Sequence, residues 1–168
     1  MNLILLGVAG SGKTTIGQRL AARLGGRWRF YDADDFHPPG NIAKMSRGTP
    51  LDDTDRAPWL AALRTHLDTC AAREESAILA CSAIKEAYRR RLAGSGEDDT
   101  RFVYLRGDFA LIHERMRSRP GHYFKESLLP SQFAALEEPV PGTMLVVDVA
   151  ALPDEIVERI VTALGLDA

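Results

Sequence analysis

The residues best suited to chemistry stand near the start of the chain: Gly7-Val8-Ala9-Gly10-Ser11-Gly12-Lys13-Thr14, followed by Thr15. They match G-x-x-x-x-G-K-[ST], a phosphate-binding loop. Glycines let backbone N–H groups curl around phosphate oxygens where side chains would collide. The helix that follows turns its partial positive end toward the same anion. Lys13 reaches the β- and γ-phosphates, and the Thr14 hydroxyl is offered to Mg²⁺. Residues 7–15 are therefore the expected ATP-binding set. The loop alone does not name the acceptor, because GTPases, motors and kinases all carry it. The Asn-Lys-x-Asp string of GTPases is absent from the sequence.

A second group of reactive side chains lies in Phe30-Tyr31-Asp32-Ala33-Asp34-Asp35-Phe36-His37-Pro38. Three carboxylates at the C-terminal end of a strand stand where open α/β sheets bind ligands. One carboxylate is needed to position Mg²⁺ and another to orient an acceptor hydroxyl. Asp32 is assigned to the metal, with Thr14, and Asp34 to the hydroxyl. The two alternate along the chain and point the same way if the strand continues through them. A turn and helix cap is the plainer reading, and Asp35 belongs to it. His37 either holds substrate or closes the turn. His66 and His113 fall within helices and receive no role.

These residues need a scaffold, and the periodicity supplies one. Apolar runs at Asn2–Leu6, Trp28–Tyr31, Ala77–Cys81, Phe102–Leu105 and Met144–Val147 read as strands. Helices are expected over Lys13–Leu24, Pro58–Glu75, Lys85–Leu92, Phe109–Arg117 (capped by Asp108), Ser131–Glu137 and from Pro153 onward. A short helix fits Asn41–Met45 inside the Pro-, Gly- and Asp-rich stretch 34–55, whose length suggests a functional segment. Strands alternating with helices imply an α/β domain, a parallel sheet with helices on both sides. The whole span 1–168 reads as one domain, without repeat or linker.

Composition narrows the partners. The formal net charge of −2 and pI near 6.1 give no global case for nucleic acid or an anionic membrane. Leu3–Leu6 is too short for a signal-peptide core or a membrane span. Cys70 and Cys81 lack metal-ligand spacing and read as reduced thiols. A cytoplasmic protein is expected.

Several strings together resemble the gluconokinases, small P-loop enzymes that phosphorylate D-gluconate to 6-phosphogluconate. They are Asp34-Asp35-Phe36-His37-Pro38, Asn41-Ile42-Ala43-Lys44-Met45, Gly48 through Arg56, Pro58-Trp59-Leu60, Cys81-Ser82-Ala83-Ile84-Lys85, Tyr88-Arg89 and Ser131-Gln132-Phe133. The likeness runs in order from about residue 3 to residue 139, with Ile84 where leucine is expected and a Pro120-Gly121 pair in the lid. The resemblance implies a three-layer P-loop kinase fold, a five-stranded parallel sheet in the order 2-3-1-4-5, a mobile lid at about 118–130 and a homodimer.

An acidic polyol as acceptor needs a cation and mixed donors and acceptors. Lys44, Arg56, Lys85 and Arg89 are the candidate cations, Arg56 and Lys85 foremost, and Asp34, His37 and Gln132 can hold hydroxyls. Each basic residue taken singly also reads as a solvated charge. Trp59 reads as core before substrate platform. In the small P-loop kinases resembled here, a lid arginine stabilises the transferring phosphoryl. Arg119 takes that role and Arg115 the flank of the adenine, against a plain basic surface over 115–119. Two other readings stand beside this one: a shikimate- or nucleotide-kinase-like acceptor, and a nucleotide-binding regulator without turnover.

Overall fold

Asn2–Leu6 is apolar at almost every position because it becomes the middle strand of the sheet, buried on both faces. In the computed structural model, which describes residues 1–94, 100–118 and 128–166, this strand (β1) lies between two parallel neighbours. The others are β2 (Trp28–Asp32), β3 (Ser76–Ala80), β4 (Thr100–Arg106) and β5 (Leu145–Asp148). All pairings are parallel, in the order β2-β3-β1-β4-β5. The expected order is thus found.

The helices are α1 (Lys13–Leu24), α2 (Pro39–Ser46), α3 (Asp53–Ala72), α4 (Glu86–Ala93), α5 (Phe109–Arg117), α6 (Leu129–Ala135) and α7 (Pro153–Leu164). Ile16, Leu20 and Leu24 recur every fourth residue on α1, so one face is buried throughout. The helix stops at Gly25, whose positive φ of 58° suits a residue without Cβ. α1 packs against α7, and the ion pairs Arg19–Asp154 and Arg23–Glu158 trim that contact at its exposed edge. α3 packs on α4 and β3 through Trp59, Leu60, Leu63 and Leu67.

Three expectations change. The third helix begins at Asp53, five residues before Pro58. Asp52 accepts from the Asp55 amide at 2.8 Å while the Asp55 carboxylate accepts from the Asp52 amide at 3.1 Å. This capping box satisfies two amides of the first turn and contributes about 1 kcal/mol. It starts the helix early enough that Pro58 falls inside its second turn, where proline has no N–H to give the Thr54 carbonyl. The strand β2 also ends at Asp32, and Ala33–Phe36 coils into a single 3₁₀ turn. Asp32 and Asp34 therefore do not alternate along one strand. α6 likewise starts two residues earlier than expected, with Pro130 in its first turn.

The parallel register sets the site. Leu5 and Asp32 each pair with Ala80, so β1, β2 and β3 end side by side. The phosphate-loop motif, the acidic turn and the Cys81–Lys85 segment all leave the sheet at this edge. The expected lid falls largely on residues 119–127, outside the described residues.

Candidate active site

The loop from Gly7 to Gly12 is shaped by lack of room as much as by flexibility. A Cβ on Gly7 would meet Ser11 Oγ at 2.7 Å and the Leu105 carbonyl at 2.8 Å. Gly12, the N-cap of α1, has open space around it but a φ of +93°, which L side chains rarely adopt. Val8, Ala9, Gly10 and Ser11 complete the arch, and the Ser11 amide donates to the Val8 carbonyl. Lys13 Nζ folds back to the carbonyls of Gly7 at 3.0 Å and Val8 at 2.9 Å. Burial lowers its pKa, and the charges of Asp34, Cys81 and Asp32 oppose that shift. Lys13 and Asp34 therefore sit in one electrostatic cluster.

Thr14 Oγ1 donates to Asp32 Oδ2 at 2.8 Å, bringing a hydroxyl and a carboxylate together beside the first turn of α1. Thr15 follows in that turn. The other oxygen of Asp32 caps the 3₁₀ turn by accepting from the Asp34 amide at 3.1 Å. Asp32 thereby orients the backbone that carries Asp34. Two hard oxygen donors of this kind suit Mg²⁺ with waters and phosphate completing its shell.

His37 lies at the back of the acidic turn, 9% exposed, stacked on Trp59 with ring centroids 4.3 Å apart. Trp59 is fixed by its indole N–H, which donates to the Ala33 carbonyl at 2.7 Å. Burial lowers the His37 pKa to about 4; Asp34 pulls it up and Arg56 pushes it down. The imidazole is neutral at physiological pH.

Arg56 and Lys85 lie over the ring of Tyr88, at 5.5 and 5.6 Å from its centroid. Such placements are worth about 0.5–1 kcal/mol when exposed and more when desolvated. Lys85 donates to Asp53 Oδ1 at 2.7 Å, and the Tyr88 hydroxyl donates to the same oxygen. The Lys85 hydrogen bond, then Tyr88, holds the Asp53 carboxyl below its usual range. Tyr88 and Asp53 thus belong to the basic side of the site. The string Tyr88-Arg89 marked the place, but no spacing in it singled out the ring as a platform.

The remaining candidates are engaged otherwise. Lys44 binds both carboxylate oxygens of Asp55 at 2.7 Å, at the start of α3. Gln132 Oε1 accepts from the Ala9 amide at 2.6 Å, so α6 touches the phosphate loop itself. Arg115 donates to the Val149 carbonyl at 2.7 Å, directly after β5. Arg119 lies outside the described residues.

Arg89 has a different task from the one expected. It is only 7% exposed and donates to the carbonyls of Ala83 at 3.2 Å, Ile84 at 3.1 Å and Glu137 at 3.1 Å. Ala83 carries a φ of +33°, costly for a residue with a Cβ. Arg89 therefore braces a strained turn directly after β3 rather than presenting a free cation. The Cys81 thiol beneath this turn is pushed up to about 12, chiefly by burial. Among the described residues no group of three or more His, Cys, Asp or Glu could hold a metal.

The AAA domain family matches residues 3–127. The chain is 46% identical over 142 residues to the gluconokinase of Gluconobacter oxydans (strain 621H), covering 83% of this chain and 76% of that one. The chain belongs to the gluconokinase family. A solved gluconokinase from Sinorhizobium meliloti 1021 superposes with a TM-score of 0.86 at 40% identity, covering 98% of this chain and 91% of its own. A sugar kinase from Janibacter sp. HTCC2649 superposes with a TM-score of 0.90 at 42% identity, covering 98% and 94%.

Proposed function

We propose that the protein transfers the γ-phosphoryl group of ATP to the 6-hydroxyl of D-gluconate, yielding 6-phospho-D-gluconate. The observation that carries this reading is that the charge of Asp34 acts both on Lys13 of the phosphate loop and on His37, which the charge of Arg56 also reaches. Asp34 lies 3.8 Å from His37, and the Arg56 and Lys85 cations lie together over Tyr88. A molecule with one carboxylate and several hydroxyls matches that combination.

In this reading, loop amides from Val8 to Thr15 and Lys13 bind the triphosphate, and Arg115 flanks the adenine. Thr14 and Asp32 would hold Mg²⁺, which when bound neutralises charge on the phosphate oxygens. Asp34 accepts a hydrogen bond from the acceptor hydroxyl and aims its oxygen at the phosphoryl group. Arg56 and Lys85 bind the carboxylate end, Lys44 and Gln132 line the rim, and Arg89 holds the turn that carries Lys85. Arg119 takes the developing phosphoryl charge and, with the segment 118–130 as lid, excludes water.

The reading extends to a single kinase domain working as a homodimer in the cytoplasm. Two buried free thiols, Cys70 and Cys81, support a reducing compartment. No helix among the described residues is long and apolar enough to cross a membrane. Light scattering on the purified chain checks the dimer.

Initial rates of ADP release with gluconate, related sugar acids, shikimate and nucleoside monophosphates test the acceptor. Gluconate is expected to give the highest kcat/KM. No stimulation by millimolar gluconate would overturn the reading.

A further inference from the structure

The side chain of Asn41 is 5% exposed and has two partners. Its Nδ2 lies 2.9 Å from the Asp55 carbonyl and 3.3 Å from His37 Nδ1. A carbonyl only accepts, so the atom facing Asp55 must be the amide nitrogen. One of its two hydrogens goes to Asp55, and the other points at the imidazole. His37 Nδ1 must therefore present a lone pair, and the single hydrogen of the neutral ring sits on Nε2.

Nε2 lies 3.8 Å from Asp34 Oδ1. That is too long for a direct hydrogen bond, and a single oxygen at hydrogen-bond distance from both atoms spans it. The ring cannot turn over easily, since it stacks on Trp59 with planes only 11° apart. Trp59 is in turn pinned to the Ala33 carbonyl. Asp55 is held by Lys44 and by the capping box, so the carbonyl that orients Asn41 is itself fixed.

We infer that Asn41 is a positioning residue that holds His37 as its Nε2–H tautomer, so that His37 donates to the acceptor hydroxyl that Asp34 accepts from. The pair then brackets one oxygen. Its hydrogen is committed to the Asp34 carboxylate and one lone pair to His37, leaving another lone pair for attack on phosphorus. Two acceptors at this place would instead compete for the one hydroxyl hydrogen. The inference rests on the gluconate-kinase reading for the identity of the hydroxyl, but not for the tautomer.

Long-range ¹H–¹⁵N spectra of the histidine rings in the full chain test it, with His37 assigned by its loss in His37→Gln. The wild type is expected to show pyrrole-type Nε2 and pyridine-type Nδ1 at neutral pH. In Asn41→Asp the carboxylate accepts from Nδ1–H and the pattern inverts, while kcat with gluconate falls about tenfold or more and ATP binding stays within about twofold. Asn41→Leu, which removes the donor without supplying an acceptor, should show a mixed pattern and a smaller loss. A wild-type ring protonated on Nδ1 overturns the inference whatever the substrate proves to be. An inverted tautomer with unchanged gluconate kinetics overturns its catalytic part. Failure of the wild type to turn over gluconate would instead sink the acceptor assignment, while the spectrum still decides the tautomer.

Discussion

His37 lies face to face with Trp59, 4.3 Å between ring centroids, beneath the turn that presents Asp34. Burial there lowers its pKa to about 4 from 6.5. Between those values the unfolded chain binds a proton that the folded chain refuses, so stability rises with pH across that window and is lost as pH falls through it. The penalty at pH 4 relative to pH 7 is on the order of 3 kcal/mol. His37→Phe keeps the stack and cannot titrate. Its urea-unfolding stability should change less steeply between pH 4 and 6.5 than that of the wild type; parallel curves would contradict this.

Lys13 donates to two loop carbonyls, and the Asp34 charge raises its pKa against the effect of burial. Lys13→Ala should reduce kcat by about 10²-fold or more, since a charge aimed at the transferring group is lost. Asp34→Asn should cost a similar factor while ATP binding, read by fluorescence titration, stays close to wild type. Near-normal turnover in Asp34→Asn would remove Asp34 from the reaction.

The acidic turn shows how far the sequence could be read. Its place at the sheet edge was legible from one short strand and the carboxylates after it. The relation between Asp32 and Asp34 was not, because Asp32 caps the turn through its own side chain and so ends the strand that alternation assumed. Lys13–Leu24 was readable to the residue because local periodicity decides it. Arg89 was not, since its burial depends on Glu137, which meets the Ala83 turn only after folding. Gln132 was marked for a hydroxyl, and its contact with Ala9 is equally non-local.

Arg89 offers a test of that last point. Arg89→Ala removes the guanidinium from three carbonyls, of which Ile84 keeps the Glu137 amide as donor, and should lower the Tm while raising the gluconate KM more than the ATP KM. Each carbonyl left buried and unpaired costs about 1–3 kcal/mol. Arg89→Lys, which cannot reach all three, should recover only part of both effects. An unchanged KM ratio with a lowered Tm would confine Arg89 to stability.

Arg56 lies over Tyr88 and its charge acts on His37, and the proposed function gives it the carboxylate end of the substrate. Arg56→Ala should raise the gluconate KM by about tenfold or more, the worth of one charge-assisted hydrogen bond, with ATP KM little changed. Equal effects on both substrates in steady-state kinetics would place Arg56 elsewhere in the cycle.

Cys81 and Cys70 are buried, and burial raises both thiols, Cys81 to about 12. Neither should react with iodoacetamide at pH 8 in the native protein, and both should react in denaturant. Rapid native labelling of Cys81, read by mass spectrometry, would contradict the packing under the Ala83 turn.

The central claim is best tested on the product itself. The purified chain, incubated with ATP, Mg²⁺ and ¹³C-labelled gluconate, should give a single phosphomonoester by ³¹P NMR, with ¹³C–³¹P coupling at C6 and ADP formed in equal amount. A phosphate on another carbon, or ADP released with gluconate unmodified, would contradict the account.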